Sequence, residues 1–307
     1  VIELQRKLIG DAVRNQAFNE ALRSVIDPKK TTVLDLGSGT GFLGFLASRL
    51  GAKHVTLIEY GDILDVSRKL AKRNHIENCT FIKKHSMEVR NLERVDVLVS
   101  ETLGNYALEE NIIESVEDGK KFLRKGGTII PGKITQFVCP VVAPRLQDEI
   151  DVWNAGFDLD FKEAREVSMN NMYVKTVRPD ELLDGGAKQW DSIDFSKQNA
   201  SIREASLVWE MASAVTVYGF ALWWDAELVS GIHLSTSPFE KPTHWEQIYL
   251  PLLSPMRLGK GEEISLQLRS DTRLKVKVNL QWTAIHKGLD GTLLSKQEFD
   301  MRKGHLN

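Results

Sequence analysis

The chain is poor in cysteine. Cys79 and Cys139 are the whole complement, too few for a disulfide framework or a zinc cluster. Each is expected to be a small buried apolar residue. Outside the motifs below, His54, His75, His85, His233, His286 and His305 show no metal-ligand spacing, so no metal is expected. No apolar run approaches the roughly 18 residues of a membrane-spanning helix, and no membrane association is expected. Charge of one sign is also lacking. Forty basic residues against forty-two acidic ones leave a net charge of −2, which argues against direct nucleic-acid binding, because a polyanion selects a basic excess. There is no internal repeat and no low-complexity tract. The opening Val1-Ile2-Glu3-Leu4-Gln5-Arg6-Lys7 is too charged for a secretory leader. A reducing, cytoplasmic compartment is expected, or the nucleus in a eukaryote.

What is present suffices for two domains: 307 residues, 42% of them apolar and 27% charged. The pattern changes once, near Pro131-Gly132. Before it, apolar strand runs alternate with helical ones. Asp11 to Ile26 reads as a helix capped by Asp11. Strands are expected at Thr32–Leu36, Val55–Glu59, Thr80–Ile82, Val95–Ser100 and Thr128–Ile130. Helices are expected at Phe42–Leu50, Asp62–Asn74 and Leu108–Leu123. This alternation predicts a doubly wound, mostly parallel sheet over residues 31–132, preceded by an N-terminal helical segment over 1–30. After residue 133, period-2 alternation dominates. Ile264, Leu266 and Leu268, then Leu274, Val276, Val278, Leu280 and Trp282, read as a hairpin turning at Ser270-Asp271-Thr272. Ala214–Trp224 is another strand region. An antiparallel β-barrel or sandwich is expected over 133–307. The charged stretch Glu149–Leu183 reads as a solvated loop or as a protruding arm.

The strongest local signal is Asp35-Leu36-Gly37-Ser38-Gly39-Thr40-Gly41, a glycine turn between a strand and a helix. Gly37, Gly39 and Gly41 let the backbone approach a ligand closely. A dinucleotide would set its pyrophosphate on the helix N-terminus, and the Asp35 carboxylate opposes that. It favours a cationic ligand instead. S-adenosylmethionine carries a sulfonium and an ammonium and no phosphate, so it fits an acidic glycine pocket. Glu59 ends the second strand, suited to ribose hydroxyls, and Glu101 follows the fourth. The three acids fall where open α/β sheets bind ligands.

These features resemble the protein arginine methyltransferase family over nearly the whole chain. Ser100-Glu101-Thr102-Leu103-Gly104-Asn105-Tyr106-Ala107-Leu108-Glu109-Glu110 is similar to the family's double-glutamate hairpin. Glu101 and Glu110 match the two positions, and the adjacent Glu109 ranks below them. Thr243-His244-Trp245 matches the family's Thr-His-Trp loop. Asp11-Ala12-Val13-Arg14 resembles the segment whose aspartate pairs with the loop histidine and whose arginine holds the cofactor carboxylate. The resemblance implies a Rossmann-like cofactor domain and a β-barrel domain that helps form the substrate groove. It also implies a homodimer formed through the 149–183 arm. Ser86 and Met87 fall near the adenine, and Leu103 and Trp245 fall beside the substrate arginine. Leu103 and Asn105 replace the methionine and aromatic common in the family's acid hairpin, and Leu8 replaces a methionine before the aspartate motif.

The chemistry explains the residue types. A guanidinium is planar, delocalised and protonated at neutral pH, hence a poor nucleophile. Paired carboxylates grip the planar fork by bidentate hydrogen bonds, orient one nitrogen and stabilise the charge that develops. Glu101 and Glu110 take those roles in an arginine-containing protein or peptide. His244 either accepts the released proton or, with Asp11, locks the N-terminal helix over the cofactor. Trp245 would wall the channel through a cation–π contact or serve core packing. Two alternatives share the fold: transfer to a small guanidino or amine compound, and an inactive binding scaffold.

Overall fold

The computed structural model describes residues 2–154 and 156–304; Val1 and His305, named above, lie outside them. The first helices are α1 (Ile2–Gly10) and α2 (Ala12–Val25). The alternating series then runs β1 (Thr32–Leu36), α3 (Phe42–Arg49), β2 (His54–Glu59), α4 (Ile63–Arg73), β3 (Cys79–Lys83), β4 (Val95–Val99), α5 (Ile112–Gly119) and β5 (Leu123–Ile130). The five strands form a parallel sheet in the order β3-β2-β1-β4-β5. The order reverses beside β1, which opens a crevice at the carboxyl ends of the strands.

The chain then passes through β6 (Lys133–Val141), α6 (Arg145–Ile150), α7 (Lys162–Ser168), β7 (Tyr173–Lys175) and β8 (Lys188–Asp194). It continues with β9 (Ile202–Glu210), β10 (Val215–Val229), β11 (Ile232–Ser235), β12 (Gln247–Leu258), β13 (Glu263–Asp271), β14 (Asn279–Lys287) and β15 (Leu293–Asp300). Two antiparallel sheets result. One has the order β7-β12-β10-β6-β8 with β11 on β10, and the other the order β15-β14-β13-β9. Ile264, Leu266 and Leu268 of β13 and Trp282 of β14 are buried between them. The Trp282 indole donates to the Pro251 carbonyl at 3.1 Å, a direct tie from one sheet to the other. The apolar core is continuous across both halves of the chain, from Leu34 and Leu57 through Leu108 to Phe220 and Trp224.

Two elements differ from the sequence expectation. The helix expected over Leu108–Leu123 starts only at Ile112, because Asn111 is left-handed at φ 56° and residues 101–110 form an irregular loop. Ser270 and Asp271 extend β13 rather than turn, and β14 starts at Asn279. Leu274 therefore sits exposed in a longer connection. The stretch expected to be a loop or arm carries α6, α7 and β7, and Val152, Phe157 and Leu159 within it are exposed.

Candidate active site

Asp11 organises the entry to α2. Its Oδ1 accepts the Arg14 N–H at 2.9 Å as a helix cap. Its Oδ2 accepts both the His244 backbone N–H at 2.9 Å and His244 Nδ1 at 2.7 Å. Burial pushes the Asp11 carboxyl up, but the His244 and Arg14 hydrogen bonds outweigh it, and the net shift is downward. With Nδ1 donating to Asp11, the neutral ring carries its lone pair on Nε2. That atom is buried and unpartnered among the described residues.

The glycine turn needs its glycines. Gly37, Gly39 and Gly41 have φ of 74°, 51° and 86°. A Cβ on Gly41 would lie 2.4 Å from Ser67 Oγ. Asp35, at the end of β1, is buried and accepts the Gly44 N–H at 2.8 Å, tying the strand to α3. Burial, with Glu101 and Glu59 nearby, pushes its carboxyl up to about 7 against the pull of Gly44 and Arg14. Asp35 therefore contributes less negative field to the crevice near neutral pH than its position in the sequence suggests. Glu59 accepts Gly39 N–H at 3.1 Å and Gly61 N–H at 2.7 Å.

The acid loop follows β4. Glu101 and Arg14 form a buried ion pair, with Arg14 Nε 2.9 Å from Glu101 Oε2. Glu110 is open to solvent on one side but crowded by protein. That burial, then the charges of Glu101, Glu109 and Glu59, push its carboxyl up to about 7. Burial raises Glu109 as well.

A cavity of about 1500 Å³ joins these parts. Its wall includes Glu101, Glu110, His244, Arg14, Asp35, Gly37, Gly39, Glu59, Ser86, Met87, Leu103 and Trp245. Of the residues singled out from the sequence, Asp11 stands behind His244 and Gly41 packs against α4. Trp245 is buried, and the rings of His244 and Trp224 lie 4.0 and 5.0 Å from it. Its indole donates to the Leu103 carbonyl at 2.7 Å. Bracing the acid loop is therefore its visible engagement, rather than presenting an open face to a cation. Sequence reasoning missed Gln5, whose side-chain carbonyl accepts the Thr40 hydroxyl at 3.1 Å and lays α1 over the glycine turn. The local sequence carried no signal for that contact.

The fit to S-adenosylmethionine is favourable. The crevice is acidic, holds one buried guanidinium at Arg14, and leaves Ser38 Oγ on its wall buried without a partner among the described residues.

Fold and site together define a methyltransferase-type α/β domain joined to a β-domain. The family model described as "Methyltransferase domain" matches residues 27–179, and the one described as "Arginine methyltransferase oligomerization subdomain" matches residues 133–285. The chain belongs to the protein arginine methyltransferase family. It is 28% identical over 280 residues to protein arginine N-methyltransferase 6 of Xenopus tropicalis, covering 86% of this chain and 82% of that one. It is 26% identical over 311 residues to protein arginine N-methyltransferase 1 of Chlamydomonas reinhardtii, covering 97% and 90%. A chain of the Trypanosoma brucei PRMT1 enzyme–prozyme heterotetrameric complex with AdoHcy superposes with a TM-score of 0.83 at 22% identity, covering 97% of this chain and 98% of that one. Protein arginine methyltransferase 10 of Arabidopsis thaliana superposes at 0.81 and 20%, covering 98% of each chain.

Proposed function

We propose that this chain transfers a methyl group to a guanidino nitrogen of an arginine in a protein or peptide. The observation that carries this reading is the placement of Glu101 and Glu110 on one cavity with the glycine turn. When bound, S-adenosylmethionine supplies an electrophilic methyl on a sulfonium and leaves as S-adenosylhomocysteine. Gly37, Gly39, Glu59, Ser86 and Met87 would hold its nucleoside part, and Arg14 its carboxylate.

Glu101 and Glu110 grip the target guanidinium and orient one nitrogen. Arg14 already shows that Glu101 accepts a guanidinium in this setting. The methylated nitrogen must shed one proton, or the group would carry two positive charges. Glu110, pushed up to about 7, is suited to take it. His244 acts by position: both its contacts with Asp11 tie the β-domain loop to the start of α2.

Residues 2–30, 31–132 and 133–304 divide the work into a helical cover, a donor-binding domain and an acceptor-side domain. The oligomerization-subdomain match spans the 149–183 arm. The exposed Val152, Phe157 and Leu159 support a homodimer formed through that arm. No helix among the described residues is long and apolar enough to cross a membrane.

Incubation with isotope-labelled S-adenosylmethionine, arginine-rich peptides and free arginine tests the reading. Mass spectrometry should find methylarginine in the peptides. Label confined to the free amino acid would overturn the protein-substrate assignment, and no label in either would leave the scaffold alternative.

A further inference from the structure

Two indole N–H groups of the β-domain hold consecutive carbonyls of the acid loop. Trp245 donates to Leu103 O at 2.7 Å, and Trp224 donates to Gly104 O at 3.2 Å. Trp224 lies within β10, is 1% exposed and meets Trp245 edge to face. Asn105 closes the arrangement by donating its side-chain N–H back to the Trp245 carbonyl. The loop is tightly folded at this point: a Cβ on Gly104 would lie 2.4 Å from Glu109 Cβ and 2.8 Å from the Tyr106 carbonyl. Leu103 N–H turns back to Glu101 Oε1 at 3.3 Å.

We infer that Trp224 is a positioning residue for the target arginine, acting through the Gly104 carbonyl to fix the backbone that separates Glu101 from Glu110. The inference rests on the methyl-transfer reading above. A planar guanidinium offers a rigid fork, and two carboxylates match it only if their separation is held within about 0.5 Å. The segment between them is irregular and has no helix or strand of its own to hold it. Beyond a few internal hydrogen bonds, its rigidity depends on contacts from outside. Trp224 supplies it from a central strand: the indole donor is buried where water cannot replace the Gly104 oxygen, so any shift of the loop orphans that donor. Trp224 is not itself on the cavity wall. Its effect therefore falls on arginine placement and leaves donor binding alone.

Trp224→Phe keeps a large ring and removes the N–H. The measurements are kcat and KM for an arginine-rich peptide, AdoHcy affinity, and amide hydrogen exchange resolved by segment. We expect kcat to fall roughly tenfold to a hundredfold, AdoHcy affinity to stay within about twofold, and exchange to quicken in residues 101–110 while β12 to β14 are unchanged. Asn105→Ala breaks the return bond without touching the core. It should act in the same direction, and the double variant should lose less than the product of the two effects, since both act on one loop. Wild-type kcat together with wild-type loop exchange in Trp224→Phe would overturn the inference. So would a loss of kcat matched by an equal loss of AdoHcy affinity and by faster exchange throughout the β-domain, which marks a purely structural role. If the wild-type protein methylates no peptide, the functional reading fails, and the exchange data still decide whether Trp224 holds the loop.

Discussion

Arg14 and Glu101 hold each other on the wall of the crevice, the arginine on α2 and the glutamate after β4, with their side chains 5% and 6% exposed. The N-terminal segment is thereby coupled electrostatically to the acid loop. Arg14 also lies 5.5 Å from the Phe18 ring centre, so its charge is embedded among apolar groups. On the proposed clamp reading, Glu101 is oriented and desolvated by Arg14 before a target guanidinium arrives.

Glu101→Gln should keep the shape and remove the charge. Turnover on arginine peptides is expected to fall by at least about a hundredfold, the scale of losing one electrostatic stabiliser. Stability should fall by about 3 kcal/mol, because Arg14 is left buried without its counter-charge. AdoHcy titration calorimetry should show binding retained. Undiminished turnover would remove Glu101 from the guanidinium clamp.

Asp11→Asn and Asp11→Ala separate two jobs. Asparagine still caps α2, whereas alanine loses the cap at a cost of about 1 kcal/mol. Both lose the carboxylate that accepts from the His244 backbone N–H and from Nδ1. Turnover should fall in both, and thermal stability more in the alanine variant. The charge on Asp11 stabilises the fold above its unfolded value near 3.8, and that contribution is lost as pH falls through the lower folded value. Equal melting temperatures for the two variants would argue against the capping role.

Asp35 and Glu110 set a pH dependence of opposite sign. Their ordinary values of 3.8 and 4.5 are each raised to about 7 in the fold. The folded protein keeps protons that the unfolded chain has lost, so stability declines as pH rises from about 4 to 7. The clamp needs Glu110 ionised, so kcat/KM should rise across the upper part of the same window. Melting curves and initial rates between pH 5 and 8 check both slopes. A rate that is highest at pH 5 contradicts the assignment.

Gly41→Ala should damage the donor site from outside it. The residue is left-handed at φ 86°, and its new methyl would meet Ser67 Oγ at 2.4 Å. A loss of about 1–3 kcal/mol in stability is expected, together with weaker AdoHcy binding as the turn shifts. Calorimetry that finds unaltered affinity would show that the turn tolerates the displacement.

Phe157→Ser tests the arm. Phe157 is 91% exposed within one chain, a large apolar side chain left in water unless a partner covers it. Sedimentation should show the wild type as a dimer and the variant shifted toward monomer. A monomeric wild type would remove the arm's proposed role.

The alternating half of the fold was legible because each strand and helix buries a face of its own period. The Asp11 cap was legible for the same local reason. Helix α1 falls within the helical segment expected over 1–30, but its bounds were not legible, since it buries no residue of its own and meets the glycine turn through Gln5 on Thr40. The start of α5 was misplaced because Leu108 continues an apolar pattern, while its neighbours are committed to loop contacts with the β-domain. Leu274 and Val276 imitate a strand in sequence, yet the Thr272 carbonyl before them is held by Asn111 of the other domain at 2.7 Å. Asp35, Glu59 and Glu101 were legible as strand-end residues, whereas Glu110 was read only through the resemblance of its hairpin. Trp224 was not legible, because its partner stands 120 positions away and its strand pattern reads as ordinary core.

The loop bearing Glu101 and Glu110 grows from one half of the molecule and is fastened by the other. Without the strands beyond residue 132 the carbonyls of Leu103 and Gly104 would lose both indole donors, and Asp11 would lose His244. The apparatus is therefore shared property. Substitutions in the strands behind it can retune which acceptors are handled and how fast, with donor recognition left as it was.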